Sequence, residues 1–366
     1  MPFLPVWLAA KGLDANAIGT VLAAPLVLRI FTVPFVTGMA DRSDAWRGTL
    51  IAAAATATAG FAVLGWANGF WPILVLLAFA SASFTSIFPL ADAYALKGLA
   101  VRARSYGSVR LWGSGAFIAG SLGAGLLFDV LKPESLIWVM TAAALAMTVL
   151  AAGLRPIGGV TRPRGIGANV AFLRSPAFLV IAAAASLIQA SHALYYGFST
   201  LDWTSAGFDG RAIGILWAIG VVAEIVVFAV SGRLLGGLTP GMMLGVGAAG
   251  AAIRWAAMAL NPPAVLLPLL QCLHGLSFGA THLGSVQFLA QAAPDRLGAT
   301  AQGALTIAVG GTMAVFMGLS GWLYGAYGAR AYAAMAVAAL AGGLLAVPAH
   351  RSWMSRTVPA ESANRP

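Results

Sequence analysis

The sequence predicts an all-α membrane protein with about twelve transmembrane helices, and three observations lead to this fold class. Hydrophobic residues make up 60% of the 366-residue chain and charged residues only 9%, whereas a soluble domain carries about 25% charged residues. Apolar stretches long enough to span a bilayer recur along the whole chain. The 44 glycines fit the same class, because small residues let membrane helices pack closely.

Eleven apolar stretches have spanning length, and they cover residues 18–40, 48–66, 71–95, 107–128, 136–154, 176–200, 212–232, 241–260, 263–290, 300–324 and 331–349. The earlier apolar stretch, from Pro2 to Ala10, is too short to span. We expect it to be the outer end of a truncated first helix, left by a misplaced start or a real truncation. It lacks the basic start and the cleavage site of a signal peptide.

The basic residues predict the orientation in the membrane. A net charge of +10 could suggest nucleic acid as a partner, but the charges lie in short connections between apolar stretches. Alternate connections and the C-terminal tail hold 14 of the 21 Lys and Arg residues, while the opposite side holds Lys11, Lys132, Arg211 and Arg330. Because cytoplasmic loops carry the basic excess, we predict a bacterial-type inner membrane, two cytoplasmic termini and no nucleic acid partner.

The longest basic connection predicts two six-helix halves. Residues 1–155 would form the first half with its incomplete first helix, 156–175 the cytoplasmic linker, 176–350 the second half and 351–366 a cytoplasmic tail. Ile18-Gly19 matches Ile213-Gly214 at an offset of 195 residues, and Ser83-Phe84 matches Ser277-Phe278 at 194. A nearly constant offset is typical of a duplicated unit, although chance can explain any single pair.

A short motif follows the predicted second helix. The stretch Gly38-Met39-Ala40-Asp41-Arg42, followed by Arg47, resembles the G-x-x-x-D-R-x-x-R loop of the major facilitator superfamily. Arg47 stands one residue further on than that pattern requires. The resemblance therefore assigns a gating-loop role to Gly38, Asp41 and Arg42, and it implies the major facilitator fold.

Three further stretches narrow the resemblance to one branch of the superfamily. Residues 106–114, 191–196 and 273–282, together with Glu224, are similar to the phenylpropionate permease branch, which is related to lactose permease and to nucleoside–proton symporters. The resemblance implies proton-coupled import of a small organic solute, such as 3-phenylpropionate or a related aromatic carboxylate, by a rocker-switch. It implies no cofactor and no metal, with the proton gradient as energy source. A nucleoside or sugar symporter and an exporter of the same fold remain alternatives.

Ionisable residues inside the predicted spans are the candidate site residues, because a charge in the bilayer core is costly and faces a cavity or a partner. Asp92 and Arg110 lie near the ends of two consecutive spans and can face each other. By resemblance to lactose permease they are substrate-binding candidates, and Trp112 lies beside them. The alternative is an ion pair that braces the helical hairpin.

Glu224 lies in the middle of its span and Arg254 within the next one. A carboxylate in a low dielectric holds its proton more readily, which suits a proton carrier. The alternative is a permanent pair between Glu224 and Arg254. Arg29 lies 195 residues before Glu224, so the two would occupy equivalent positions in the two repeated halves. With Asp92 and Arg110 counted, the five charges sum to +1, which favours an anionic substrate held by arginine.

Gln271, His274 and Ser277 share one face of the tenth predicted span at intervals of three residues. By resemblance to lactose permease, His274 is a substrate and proton-coupling candidate. In that permease a carboxylate follows the histidine by three residues, and here Ser277 takes its place, so the proton would be held by Glu224 or His274. In a regular helix, His282 would be offset from His274 by roughly 80° around the helix axis, and it could line the same cavity. Packing is the alternative for both histidines.

A second polar stripe marks the seventh predicted span, where Gln189, His192, Tyr196 and Ser199 recur every three or four residues. Such a stripe must face protein or water rather than lipid, which makes Gln189, His192 and Tyr196 substrate-binding candidates. Tyr195 is expected at the headgroup interface.

Other classes of protein fit the sequence less well. The G-x-S-x-G pattern at 275–279 lies inside a predicted membrane helix, whereas a hydrolase needs it at a strand–turn–helix elbow. No Walker loop is encoded, so an enzyme or an ATP-driven pump is not expected. Two six-helix halves with buried charges near the midplane favour alternating access over a non-transporting sensor or a channel, but the sequence alone leaves these two alternatives open. A pure scaffold would not need Glu224 and Arg254 in the membrane. Cys272, the one cysteine, is expected to be buried, and the protein is expected to be a monomer in the lipid bilayer.

Overall fold

A computed structural model describes residues 2–43, 45–100, 106–155, 170–294 and 297–357 of the chain. These residues form fourteen α-helices and no β-strand. The helices are α1 (Leu4–Ala10), α2 (Ala15–Ser43), α3 (Trp46–Trp66), α4 (Phe70–Ala100), α5 (Tyr106–Val130), α6 (Leu136–Ala152), α7 (Pro176–Ala190), α8 (Ala193–Ser205), α9 (Gly210–Leu234), α10 (Pro240–Ala259), α11 (Leu267–His274), α12 (Thr281–Ala292), α13 (Gly298–Tyr327) and α14 (Tyr332–Thr357).

The predicted spans are confirmed. Within the described part of the chain, ten helical segments are long and apolar enough to cross a membrane. The last of them, Thr300–Val347, holds most of both α13 and α14, so the eleven predicted stretches each coincide with a helical segment. Helix α1 covers seven residues.

Two helices of the second unit begin at a side-chain cap. Ser175 and Thr239 each accept a hydrogen bond from the backbone N–H three residues on, at 3.3 Å, and a proline follows each of them. A hydroxyl cap satisfies an N–H that the first helical turn leaves without a partner, and proline fits the first position because it has no N–H to lose. These signals fix the starts of α7 and α10.

The described residues fall into two compact units. The first draws on Met1–Arg164, Leu194–Ala218 and Ala314–Gly328, and the second on Gly165–Ala193, Ile219–Met313 and Ala329–Pro366. In the first unit, α3 packs against α4 and α6, and α2 packs against α4. In the second, α10 packs against α7, α12 and α14. The division into halves at 155 and 176 refers to chain duplication and stays a prediction.

Two glycine contacts hold helices of the first unit together. A Cβ added to Gly321 in α13 would lie 2.6 Å from the Ala15 carbonyl oxygen and 3.0 Å from the Gly19 Cα in α2. A Cβ on Gly214 in α9 would lie 2.7 Å from the Ser121 carbonyl oxygen in α5. These helices therefore touch backbone to backbone, as small residues allow in membranes.

We expect Gly321→Ala to lower the free energy of unfolding by about 1–3 kcal/mol, because the added methyl group must push α13 away from α2. The matched control is Gly318→Ala in the same helix, where an added Cβ meets nothing within 4 Å. The control should be neutral or slightly stabilising, because alanine favours helix. Thermal unfolding in detergent, followed by tryptophan fluorescence, measures both variants. Equal midpoints for the two would contradict the close contact.

The gating motif was predicted in a loop after the second helix, and this position is wrong because the motif lies within α2. Helix α2 continues to Ser43, so Gly38, Asp41 and Arg42 form its last turns, and Asp41 and Arg42 are exposed there. The stretch after Gly38 contains neither proline nor a further glycine that would end the helix. Arg47 donates to the carbonyl oxygens of Leu154 and Ala152, at 2.6 Å each. It thereby satisfies carbonyls at the C-terminal end of α6.

Candidate functional site

The site begins at a break in the seventh span. Helix α7 ends at Ala190 and α8 begins at Ala193, so Ser191 and His192 separate them. The Ser191 hydroxyl donates to the Ile188 carbonyl oxygen at 2.6 Å. His192 Nδ1 lies 3.2 Å and 3.1 Å from the carbonyl oxygens of Ile188 and Gln189. The Ile188 carbonyl oxygen thus has side-chain partners, and the Gln189 carbonyl oxygen also accepts from the His192 backbone N–H at 3.1 Å. Side chains and backbone together satisfy the carbonyls at the break, as a membrane requires.

This geometry assigns the tautomer of His192. Carbonyl oxygens only accept, so Nδ1 carries the hydrogen and Nε2 presents a lone pair in the neutral ring. Nε2 lies 3.0 Å from Ser277 Oγ, and in the neutral ring it accepts from this hydroxyl, which also lies 3.4 Å from the His274 carbonyl oxygen. Both side chains are fully buried. Ser277, which replaces the expected carboxylate, thus binds the second histidine of the site.

Arg254 lies at the centre of the site, on α10, with no exposed surface. Its guanidinium lies 4.6 Å above the ring of Trp255, whose indole N–H donates to Ser191 Oγ at 2.9 Å. Arg254 Nη2 donates to Gln271 Oε1 in a short hydrogen bond. Arg254 Nη1 lies 3.0 Å from His274 Nδ1. Arginine, glutamine and histidine from two helices therefore form one buried cluster.

The arginine also fixes the protonation of His274. A guanidinium has donors and no acceptor, so His274 Nδ1 must accept and its hydrogen lies on Nε2. A hydrogen on both ring nitrogens would set two N–H groups against each other at the Arg254 contact. His274 is therefore neutral, and its tautomer is opposite to the one that a neutral His192 has.

Glu224, on α9, completes the chain of polar groups. Its Oε2 lies 3.9 Å from His274 Nε2, the nitrogen that carries the hydrogen. This separation is longer than a hydrogen bond and suits one bridging water or a small approach of the helices. The Glu224 side chain is 23% exposed and that of His274 is 9% exposed. Glu224 is thus the member of the chain that solvent reaches most easily.

Glycines bring α9 close enough for this contact. A Cβ on Gly275 would lie 2.6 Å from the Ala223 carbonyl oxygen, and one on Gly220 would lie 3.6 Å from the His274 side chain. A bulkier residue at either position would change the distance between His274 and Glu224. The small residues of the sequence thus set the geometry of the ionisable ones.

The tenth span is not a regular α-helix. Residues Gly275–Ala280 form a π-helical segment between α11 and α12, so the 80° offset predicted for His282 is wrong. Each π residue advances by roughly 80° rather than 100°, which reduces the offset from His274 to about 40°. The rings of His274 and Phe278 stack at 5.4 Å and 21°, and those of Phe278 and His282 at 6.1 Å and 7°.

The break also divides the polar stripe of the seventh span. Gln189 and His192 belong to the second unit, whereas Tyr196 and Ser199 belong to the first. Gln189 Nε2 donates to the Phe278 carbonyl oxygen at 3.5 Å. Tyr195 is buried, with its ring centroid 4.5 Å from that of Trp217, so its ring packs within the protein, and its place at the headgroup interface stays a prediction. Tyr196 is half-buried.

The first unit holds the remaining candidates. Arg29 is half-buried in α2, Asp92 is exposed in α4, and Trp112 is 80% exposed in α5. The Arg110 side chain lies outside the part of the chain that the structure describes, so its pairing with Asp92 stays a prediction.

Sequence reasoning missed Trp255 and Ser191, which support the arginine. An aromatic residue directly after a buried arginine was the available signal, since guanidinium groups stack on indole rings. Cys272 was expected to be buried and is exposed.

A chain that crosses the membrane repeatedly and buries a connected set of ionisable side chains has the architecture of a small-solute transporter. Residues 1–334 match the family model described as the MFS_1 like family. The chain belongs to this family of major facilitator transporters, and it is therefore a multi-pass membrane transporter of small solutes and not an enzyme.

Relatives and solved structures agree with this assignment. The chain is 32% identical over 352 residues to the probable 3-phenylpropionic acid transporter of Escherichia coli K12, which covers 93% of this chain and 90% of that protein. It is 27% identical to the maltose permease of Geobacillus stearothermophilus over 88% of this chain and 80% of that one. A crystal structure of the nucleoside transporter NupG matches with a TM-score of 0.81 at 15% identity, covering 96% of this chain and 94% of that one. The predicted major facilitator fold is confirmed.

Proposed function

We propose that this protein carries a small aromatic carboxylate, such as 3-phenylpropionate, together with a proton. The observation that carries the proposal is the chain of buried Arg254, buried His274 and half-buried Glu224 within membrane-spanning helices. The substrate class is supported by the name of the Escherichia coli relative, which shares 32% of its residues with this chain.

Charge balance explains why a proton should accompany the substrate. The cluster of Arg254, His274, Gln271 and Glu224 holds one cation, one carboxylate when Glu224 is ionised, and a neutral imidazole. A substrate carboxylate would make the site net negative, which is costly in a low dielectric. A proton on Glu224 removes that charge. Binding of the proton and of the anion therefore favour each other.

The order of events follows from exposure. Glu224 is the most exposed member of the chain, so it takes the proton first. Its negative charge then no longer balances Arg254, whose field attracts a carboxylate. His274 stays neutral. It links the two charged groups, because one ring nitrogen faces Arg254 and the other faces Glu224. When the substrate leaves and Glu224 loses its proton, the negative charge of Glu224 again balances the positive charge of Arg254.

The setting of this reaction is also part of the proposal. The basic residues favour an inner membrane with both termini in the cytoplasm, and import is the direction that the family resemblance implies. The proton gradient supplies the energy without a cofactor. A single chain acts as a monomer, with the lipid bilayer, protons and the solute as its partners and no nucleic acid.

Counterflow in proteoliposomes tests the substrate class. Vesicles are loaded with unlabelled 3-phenylpropionate, and labelled 3-phenylpropionate is added outside at equal pH. We expect a transient overshoot of label that protein-free liposomes lack, which also corrects for passage of the uncharged acid through lipid. Parallel vesicles test inosine and maltose, because one relative is named a maltose permease and one similar structure is that of a nucleoside transporter. An overshoot with inosine or maltose but not with 3-phenylpropionate would show that the proposed substrate class is wrong.

A further inference from the structure

Helix α9 begins at a cap that comes from two places in the chain. Asp209, the residue before the helix, accepts the Ala212 backbone N–H at 2.7 Å through its own carboxylate. The first two N–H groups of α9 bind elsewhere: Gly210 and Arg211 donate theirs to the carboxylate of Asp129, at 2.5 Å and 3.1 Å. Asp129 lies in the last turn of α5. A carboxylate of α5 therefore completes the N-terminus of α9.

This contact attracts the two helices to each other. Each oxygen of the Asp129 carboxylate accepts one N–H. Such bonds at a helix start are charge-assisted and roughly twice as strong as those between neutral groups, and the dipole of α9 adds to the attraction. If α5 moved away, Gly210 and Arg211 would exchange the carboxylate for water. The contact therefore stabilises the arrangement in which α5 and α9 touch.

Small residues bring the two helices into backbone contact next to this cap. A Cβ on Gly125 would overlap the Gly210 carbonyl oxygen, and one on Gly214 would lie 2.7 Å from the Ser121 carbonyl oxygen. Ser121, Gly125 and Asp129 follow one another at intervals of four residues on α5, as Gly210 and Gly214 do on α9. One face of each helix thus makes the contact, and the carboxylate lies at its end.

The contact lies where a transporter must open. Helix α5 belongs to the predicted first half of the chain and α9 to the predicted second half, while Asp129, Gly210 and Arg211 belong to one compact unit. The basic residues predict that this end of both helices faces the outside. A major facilitator transporter opens to each side in turn as its halves rock. Opening to the outside must therefore separate α5 from α9 and break the bonds to Asp129.

We propose that Asp129 is the latch of the outer gate: its carboxylate holds the outer ends of α5 and α9 together, and its loss shifts the resting protein toward the outward-open state. The glycines permit the close approach of the two backbones. The carboxylate adds an attraction that water replaces only in part. Neither the transported solute nor the coupled proton enters this role, so it stands apart from the proposed substrate class.

The reactivity of a buried cysteine tests the latch without any substrate. Ser121 is 2% exposed, so Ser121→Cys places a thiol of similar size at a position that a reagent reaches only after α5 and α9 separate. Cys272→Ser removes the native thiol, which is exposed. The purified protein is treated with a water-soluble methanethiosulfonate reagent. When closing is faster than the reaction, the labelling rate is proportional to the open fraction.

We expect Asp129→Ala to raise this labelling rate by roughly three- to thirtyfold, because two bonds to a charged group are lost and water replaces them in part. Asp129→Asn should give an intermediate rate, since its amide has one accepting oxygen instead of two. Asp209→Ala is the matched control. It removes a carboxylate from the same helix start, but this carboxylate binds α9 itself, so the rate should stay within about twofold of the background protein.

The same rate in Asp129→Ala as in the background protein would overturn the latch, as would an equal rise in Asp209→Ala. Thermal unfolding, followed by tryptophan fluorescence, distinguishes opening from loss of the fold. A faster reaction found only where the variant is unfolded at the labelling temperature would also overturn the proposal. A faster reaction of a folded Asp129→Ala protein, with Asp209→Ala unchanged, supports it whichever solute the protein carries.

Discussion

Glu224→Gln is expected to abolish accumulation of substrate driven by a pH gradient while leaving counterflow in place. Glutamine has the shape of a protonated glutamate but cannot release a proton. The site would therefore stay permanently in the form that accepts an anion beside Arg254. Exchange of one substrate molecule for another needs no change in protonation and should continue. Uphill uptake needs the proton to leave on the other side and should fall to the level of protein-free liposomes.

The matched control is Glu134→Gln. Glu134 is exposed in the turn before α6, and its replacement should change neither activity. Uphill uptake at the wild-type rate in Glu224→Gln would remove Glu224 from the proton role. Loss of counterflow together with uphill uptake would instead assign Glu224 to substrate binding.

Arg254→Lys is expected to weaken substrate binding by about ten- to a hundredfold. Lysine keeps the positive charge, but its single ammonium group cannot contact His274 and Gln271 in the two fixed directions that the guanidinium uses. One charge-assisted hydrogen bond, worth about 1.5–3 kcal/mol, is lost. His274 would also be free to adopt the other tautomer, which points a lone pair at Glu224 instead of a hydrogen.

The half-saturation concentration for counterflow measures this loss. Arg211→Lys is the control, because Arg211 is exposed at the start of α9 and tolerates either cation. Equal half-saturation in Arg254→Lys and the wild type would show that only the charge matters. The bidentate role assigned to Arg254 would then be wrong.

The sequence was sufficient for the fold and singled out four residues that the structure brings close together. Apolar length predicts a membrane helix because lipid leaves the backbone no other partner than itself. The cost of a charge in the bilayer singles out Glu224 and Arg254. Gln271 and His274 were added by their shared helical face, and the structure joins all four in one chain of contacts.

The local backbone was not predictable in the same way. The break at Ser191 and His192 depends on side chains that take over carbonyl partners, and neither residue type usually ends a helix. The π-helical segment Gly275–Ala280 needs one extra residue per turn, which has no distinct residue pattern. Both features decide which rings and imidazoles meet, so the stacking of Phe278 between His274 and His282 and the tautomer of His274 could be assigned only from the structure.

The most direct test of the central claim is the initial rate of labelled 3-phenylpropionate uptake into proteoliposomes with an imposed pH gradient, acidic outside. Protein-free liposomes provide the rate at which the uncharged acid crosses lipid, and this rate is subtracted. Proton coupling through Glu224 predicts a protein-dependent rate that rises with the gradient and disappears with a protonophore. A protein-dependent rate that is the same with and without the gradient would contradict proton coupling.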